Sequence, residues 1–158
     1  MKMARFAWGV VALAIVCRCA MAQGGDCGVS VPSGISMDRG GVDVLSDTQG
    51  VNFDRYIQHV AKRVYKQWRE LMPEEASAPQ CMHGETDVRF TVNRDGTVTA
   101  MHEDKSATEE KLNRAAREAI TGVGKLPALP KEFHGPSVEL RIHFLVNEAN
   151  VPSTVTRL

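Results

Sequence analysis

Two stretches of the chain place apolar residues three or four positions apart, the spacing of one face of an α-helix. The first begins near Asn52, a good helix cap, and ends before Pro73, which cannot continue a helix. Its apolar positions are Phe53, Ile57, Val60, Val64, Trp68 and Leu71. The second runs from about Thr108 to Ile120 with Gly122 placed to end it, and its apolar positions are Leu112, Ala115, Ala116, Ala119 and Ile120. Two amphipathic helices are therefore predicted.

Three other segments alternate apolar and polar residues, the period of a half-buried strand. The first alternates at Val88, Phe90 and Val92, and the second resumes after Asp95-Gly96 with Val98 and Ala100. Because glycine accepts the positive φ of a tight turn, Asp95-Gly96 predicts a hairpin between them. The third segment is the most regular and has apolar residues at Val138, Leu140, Ile142, Phe144 and Val146.

The predicted order is helix, strand, strand, helix, strand, which indicates an α+β fold with two helices on one face of a three-stranded antiparallel sheet. The hairpin makes the first two strands neighbours, and a strand order of 2-1-3 leaves the last strand at an edge. Its polar positions Glu139, Arg141 and His143 then lie on the face away from the helices. One polar face is usual for an antiparallel sheet.

The ends of the chain differ from this middle part. Lys2 and Arg5 precede an apolar run that ends before Ala20-Met21-Ala22, and we interpret residues 1–22 as a secretory signal peptide. The run from Phe6 to Cys17 is shorter than the roughly 20 residues that span a bilayer as a helix, but an uncleaved anchor in the inner membrane stays an alternative. Residues 23–50 are predicted to be a flexible leader, residues 51–148 the folded domain, and residues 149–158 a flexible tail.

Cleavage after Ala22 changes both the charge and the cysteine content. It removes three of 19 basic residues and none of 19 acidic residues, so the mature chain carries a net charge of −3. That balance argues against nucleic acid as a partner. Cys27 and Cys81 remain in an oxidising compartment and are candidates for one disulfide, with free thiols or an intermolecular bridge as open alternatives.

Several short motifs, taken in order, resemble the C-terminal domain shared by TonB and TolA-type proteins. Phe53-Asp54-x-Tyr56-Ile57 with Trp68 resembles its first helix, and Leu71-Met72-Pro73-Glu74-Glu75-Ala76 its turn into the sheet. Phe90-x-Val92-x-Arg94-Asp95-Gly96-x-Val98 resembles its hairpin, Leu112-Asn113-Arg114-Ala115-Ala116 its second helix, and Leu126-Pro127-Ala128-Leu129-Pro130-x-x-Phe133 the segment before its last strand. The resemblance covers Phe53 to Asn147. It departs from the family at Lys105-Ser106-Ala107, where Ser-Ser-Gly is usual.

The resemblance implies a periplasmic protein-binding module linked to TonB-type transport. Its partner would be an outer-membrane transporter or another envelope protein, and an extended segment of that partner would add a strand to the edge of the sheet. Glu139, Arg141, His143 and Leu145 are the candidate residues of that edge. Two alternatives stay open: the edge is covered by the protein's own leader or tail, or the protein is an assembly adaptor of the envelope without a transport role. A homodimer also stays open.

Catalytic chemistry has little support in the sequence. The five histidines fall on separate predicted elements, and none form a His-x-x-x-His pair. Neither a Gly-x-Ser-x-Gly elbow nor a P-loop occurs. We therefore predict no enzyme activity, no cofactor and no metal site.

Overall fold

The computed structural model describes Cys27 and residues 41–147. The predicted signal peptide and tail, and most of the predicted leader, lie outside the described residues. The elements in chain order are β1 (Val42–Val44), α1 (Asp54–Leu71), a short 3₁₀ turn (Glu74–Ala76), β2 (Gly84–Asn93), β3 (Val98–Lys105), α2 (Glu110–Gly122) and β4 (Ser137–Val146). In this part of the chain, no helix is both long and apolar enough to cross a membrane.

The sheet is fully antiparallel and has the order β1-β4-β2-β3. The predicted order of the three strands is confirmed, because β2 lies between β3 and β4. The structure adds a fourth strand, β1, on the outer side of β4. Its residues fall inside the leader that the sequence predicted to be flexible, so that prediction is wrong for Val42–Val44.

Both helices pack on one face of the sheet and form a single core with it. Alternate residues of β2 and β4 point into this core, among them Phe90, Ile142 and Phe144. The rings of Trp68 from α1 and Phe144 from β4 meet edge to face with their centroids 5.4 Å apart. Trp68, Phe90, Ile142 and Phe144 thus belong to one core.

The ends of the elements follow local chemistry. Asn52 Oδ1 accepts a hydrogen bond from the Asp54 backbone N–H at 2.7 Å, which satisfies a free donor in the first turn of α1. In the β2–β3 hairpin Gly96 has φ of 89°, and a Cβ built there would lie 2.0 Å from the carbonyl oxygen of Leu126. Both facts require glycine. Leu126 N–H in turn donates to the Gly96 carbonyl at 2.9 Å, which fastens the proline-rich loop to the hairpin.

Candidate functional site: an occupied sheet edge

The four predicted binding residues all lie on β4, and their side chains alternate with those of the core. Glu139, Arg141 and His143 are half-buried on the polar face of the sheet, and Leu145 is 40% exposed. Their strand is not a free edge, however. Because β1 pairs with β4 from Val44↔Leu140 to Val42↔Ile142, the expectation of an open edge needs correction over this stretch.

Backbone hydrogen bonds hold β1 against β4. The Leu45 N–H donates to the Glu139 carbonyl at 2.9 Å, and the His143 N–H donates to the Gly41 carbonyl at 3.1 Å. The Glu139 N–H donates to Ser46 Oγ at 2.8 Å, so a side chain replaces the backbone acceptor where β1 ends. These are the groups that an edge strand would offer to any extended peptide.

The side chains of β1 divide between the two faces of the sheet. Val42 and Val44 are partly buried and pack against the core. Asp43 points to the polar face, where it is paired in register with Arg141 and contacts His143. The short strand therefore copies the apolar and polar alternation of β4.

His143 is the centre of the charged contacts on that face. Its Nδ1 lies 2.8 Å from Asp87 Oδ1 on β2, and its Nε2 lies 3.0 Å from Asp43 Oδ2 on β1. The hydrogen bond with Asp87 is the main cause that raises the pKa of His143 to about 9; partial burial opposes the rise, and Asp43 adds to it. Because both ring nitrogens face carboxylates, the imidazole is protonated at neutral pH and links three strands.

The other positive charges of this face are already paired. Asp104 on β3 bridges two arginines, accepting from Arg89 Nε at 3.0 Å and from Arg141 Nε at 2.9 Å. Arg89 also reaches Glu139, with Nη1 3.2 Å from Oε1. The guanidinium of Arg141 thus points away from β1 and toward Asp104 on β3.

Glu85, Asp87 and His143 bring three ligand atoms within 4.8 Å of one another. Carboxylate oxygens and imidazole nitrogens are common ligands of divalent cations. Lys105 forms an ion pair with Glu85, and Asp87 accepts from the imidazolium of His143. The positive charge that these carboxylates require is therefore supplied by side chains of the chain itself.

The opposite edge of the sheet, formed by β3, is irregular. Its pairing with β2 shifts register twice, between Asp87 and Val88 and between Arg89 and Thr91. Ala100 in the middle of the strand has φ of 49°, a left-handed conformation that extended pairing does not tolerate. Such bulges blunt an edge against further strands. β4 has an unbroken register with β2 over all ten residues.

A disulfide connects Cys27 to Cys81 across 54 residues, with a Cα–Cα distance of 5.3 Å. Cys81 lies between α1 and β2, three residues before the start of β2 at Gly84. The disulfide attaches Cys27 to the folded domain.

Sequence reasoning missed β1 and the acidic partners of His143. The alternation of Val42, Asp43 and Val44 is present in the sequence, but three residues do not distinguish a strand from chance. Asp87 was predictable as an outward-facing residue of the first strand, because it alternates with Val88. Its contact with His143 depends on the register between two strands that are 56 residues apart.

The sequence profile of a family described as TonB C terminal matches residues 53–144. Among solved structures, the NMR structure of the Helicobacter pylori TonB C-terminal domain is similar, with 27% identity and a TM-score of 0.48, over 67% of this chain and 95% of that one. No curated protein matches.

Proposed function

The chain belongs to the TonB C-terminal family, which is associated with TonB-dependent transport, and from that premise we propose that it is a periplasmic protein-binding module. An extended segment of an outer-membrane transporter, or of another envelope protein, pairs with the edge of β4 in the position that β1 holds. The role is binding and includes no catalytic step. The chain reaches the periplasm by its signal peptide, with an inner-membrane anchor as the alternative.

One observation carries this proposal: β4 already accepts an added strand. The chain's own β1 pairs with it in antiparallel register and uses the outward backbone groups of Glu139 and His143. Recognition by strand addition needs such groups for affinity, and it needs alternate side chains for selectivity. An extended segment of another protein meets the same geometry.

The contrast between the two edges supports β4 over β3. The register shifts of β3 and the left-handed Ala100 oppose pairing with a further strand. The edge of β4 is regular, because β4 keeps an unbroken register with β2 over ten residues. A partner strand is therefore expected on the β4 side of the sheet.

β1 is short enough to be replaced. A backbone hydrogen bond contributes about 0.5–1.5 kcal/mol net, so a strand of three residues is held by a few such contributions, two half-buried valines and the contact of Asp43 with His143. The pairing of β1 spans Glu139 to His143, and Ser137 and Leu145 lie beyond it. A longer guest strand gains contacts at both ends that β1 does not make.

The test uses an isotope-labelled sample of the mature protein and a synthetic peptide from the periplasmic plug of a TonB-type outer-membrane transporter. We expect the largest amide shifts along residues 139–145, because the peptide pairs with them, and in β1, because the peptide displaces it. Shifts confined to α1 and α2, or no shifts at all, would contradict the proposal.

A matched pair of control peptides isolates the backbone contribution. In an antiparallel ladder, alternate residues of the guest direct their N–H groups toward β4. N-methylation of that set should abolish binding, whereas N-methylation of the other set should leave it largely intact. Equal tolerance of both modifications would exclude strand addition.

A further inference from the structure

β1 shows which side chains suit the edge of β4, because it is a strand already seated there. Val42 and Val44 turn toward the core, and Asp43 between them turns toward the polar face. The inner positions are surrounded by apolar residues of the sheet and helices. The outer position meets a hydrogen-bond donor, Nε2 of His143, at 3.0 Å.

His143 is the positive group of β4 that remains available to a strand in this position. Its Nδ1 is held by Asp87, which fixes the ring so that Nε2 points toward β1. Arg141 donates to Asp104 through both Nε and Nη2, at 2.9 and 2.8 Å. Arg141, which lies directly opposite Asp43, is therefore bound to Asp104. The imidazole of His143 contacts Asp43 instead.

We infer that the extended segment recognised by β4 carries an acidic residue between two aliphatic residues, and that His143 Nε2 selects the acidic residue. This inference rests on the proposed function and specifies its partner. A carboxylate in that position reproduces the contact of Asp43. A lysine or arginine would instead face the imidazolium of His143, and like charges at this distance repel.

An amide tests charge separately from shape. Asparagine has nearly the size of aspartate and can accept a hydrogen bond from Nε2, but it carries no charge. The carboxylate and the imidazolium attract each other as two full charges, whereas the amide offers the imidazolium only a dipole. We therefore expect the order aspartate, asparagine, lysine for the central position of the guest.

The experiment measures binding of three fluorescent peptides by polarisation. The first copies residues 41–46 of the chain, and the other two replace its aspartate by asparagine or lysine. The mature full-length protein carries Leu45→Pro, which removes the N–H that bonds the Glu139 carbonyl and so weakens the pairing of β1 with β4. Leu45 is 38% exposed and outside the core, so the fold should persist, and far-UV circular dichroism checks that it does.

We expect the aspartate peptide to bind about five- to tenfold more tightly than the asparagine peptide, equivalent to about 1–1.4 kcal/mol. The lysine peptide should bind more weakly still. In the double variant Leu45→Pro/His143→Gln, the difference between aspartate and asparagine should fall to within about twofold, because the charge is gone. The asparagine peptide should bind both proteins with similar affinity.

The outcomes separate this inference from the function on which it rests. If all three peptides bind the Leu45→Pro protein equally, strand addition stands and the selection by His143 is wrong. If none binds, strand addition at β4 itself is contradicted. If the preference for aspartate persists in the His143→Gln protein, another group selects the acid and the assignment to His143 fails.

Discussion

Replacing His143 with glutamine should remove a pH-dependent part of the domain's stability. The pKa of His143 rises from 6.5 to about 9 in the folded protein, chiefly because of the hydrogen bond with Asp87. The groups that face the ring are Asp87 and Glu85 on β2 and Asp43 on β1, and Lys105 on β3 pairs with Glu85. The negative charge around the ring therefore exceeds the positive charge, and folding favours the protonated form.

The size and sign of the effect follow from linkage. One pKa unit corresponds to about 1.36 kcal/mol, so the shift sets an upper limit on the order of 3 kcal/mol for this group. Because the folded pKa is raised, the stabilisation is complete below about pH 6.5, where both states are protonated, and it is lost as the pH rises to about 9. The His143 side chain is only 18% exposed, so solvent screening reduces this value moderately.

Urea unfolding of the oxidised protein at several pH values from 6 to 9.5, followed by circular dichroism, measures the effect. The wild-type free energy of unfolding should decline over this range by about 2–3 kcal/mol more than that of His143→Gln. The variant is the control, because all other titrating groups are common to both proteins. Parallel curves for the two proteins would show that the contacts of His143 with Asp87 and Asp43 do not stabilise the fold.

Two further predictions concern the core and the disulfide. Phe144→Ala should lower the unfolding free energy by about 3–5 kcal/mol, because it empties a buried site beside Trp68. Leu145→Ala alters the exposed face and should change it by no more than about 0.5 kcal/mol. Equal losses in urea unfolding would show that the faces of β4 are misassigned. Intact mass measurement of the secreted protein should show a chain that begins at Gln23 and gains the mass of two hydrogens on reduction, as expected for the Cys27–Cys81 bond. The mass of the full chain, or reactive thiols in the native protein, would contradict this prediction.

The regular elements were predictable because each carries enough residues to show its period. The first helix was predicted to begin near Asn52 and end before Pro73, and the second to run from about Thr108 to Ile120; they are found at Asp54–Leu71 and Glu110–Gly122. The last strand alternates over ten residues, and its core face was correctly identified. In each case, one buried face is specified locally by the spacing of apolar side chains.

The occupation of the edge was not predictable in the same way. β1 has three residues, and its partner strand lies about a hundred residues later, as the contact between Asp43 and His143 shows. Such a pairing depends on tertiary register and not on local periodicity. The sequence therefore predicted β4 and the outward direction of Glu139, Arg141 and His143, but it left open whether the edge was free or covered.

The contact between Val42 and Ile142 offers the most direct test of strand exchange at β4. These residues are opposite each other in β1 and β4, at a site between the hydrogen-bonded pairs, where Cα atoms lie about 4.5 Å apart and α-protons give a strong nuclear Overhauser effect. With a bound transporter-plug peptide, we expect this effect to disappear and an equivalent one to appear between the peptide and Ile142. Persistence of the Val42–Ile142 effect in the saturated complex would contradict it.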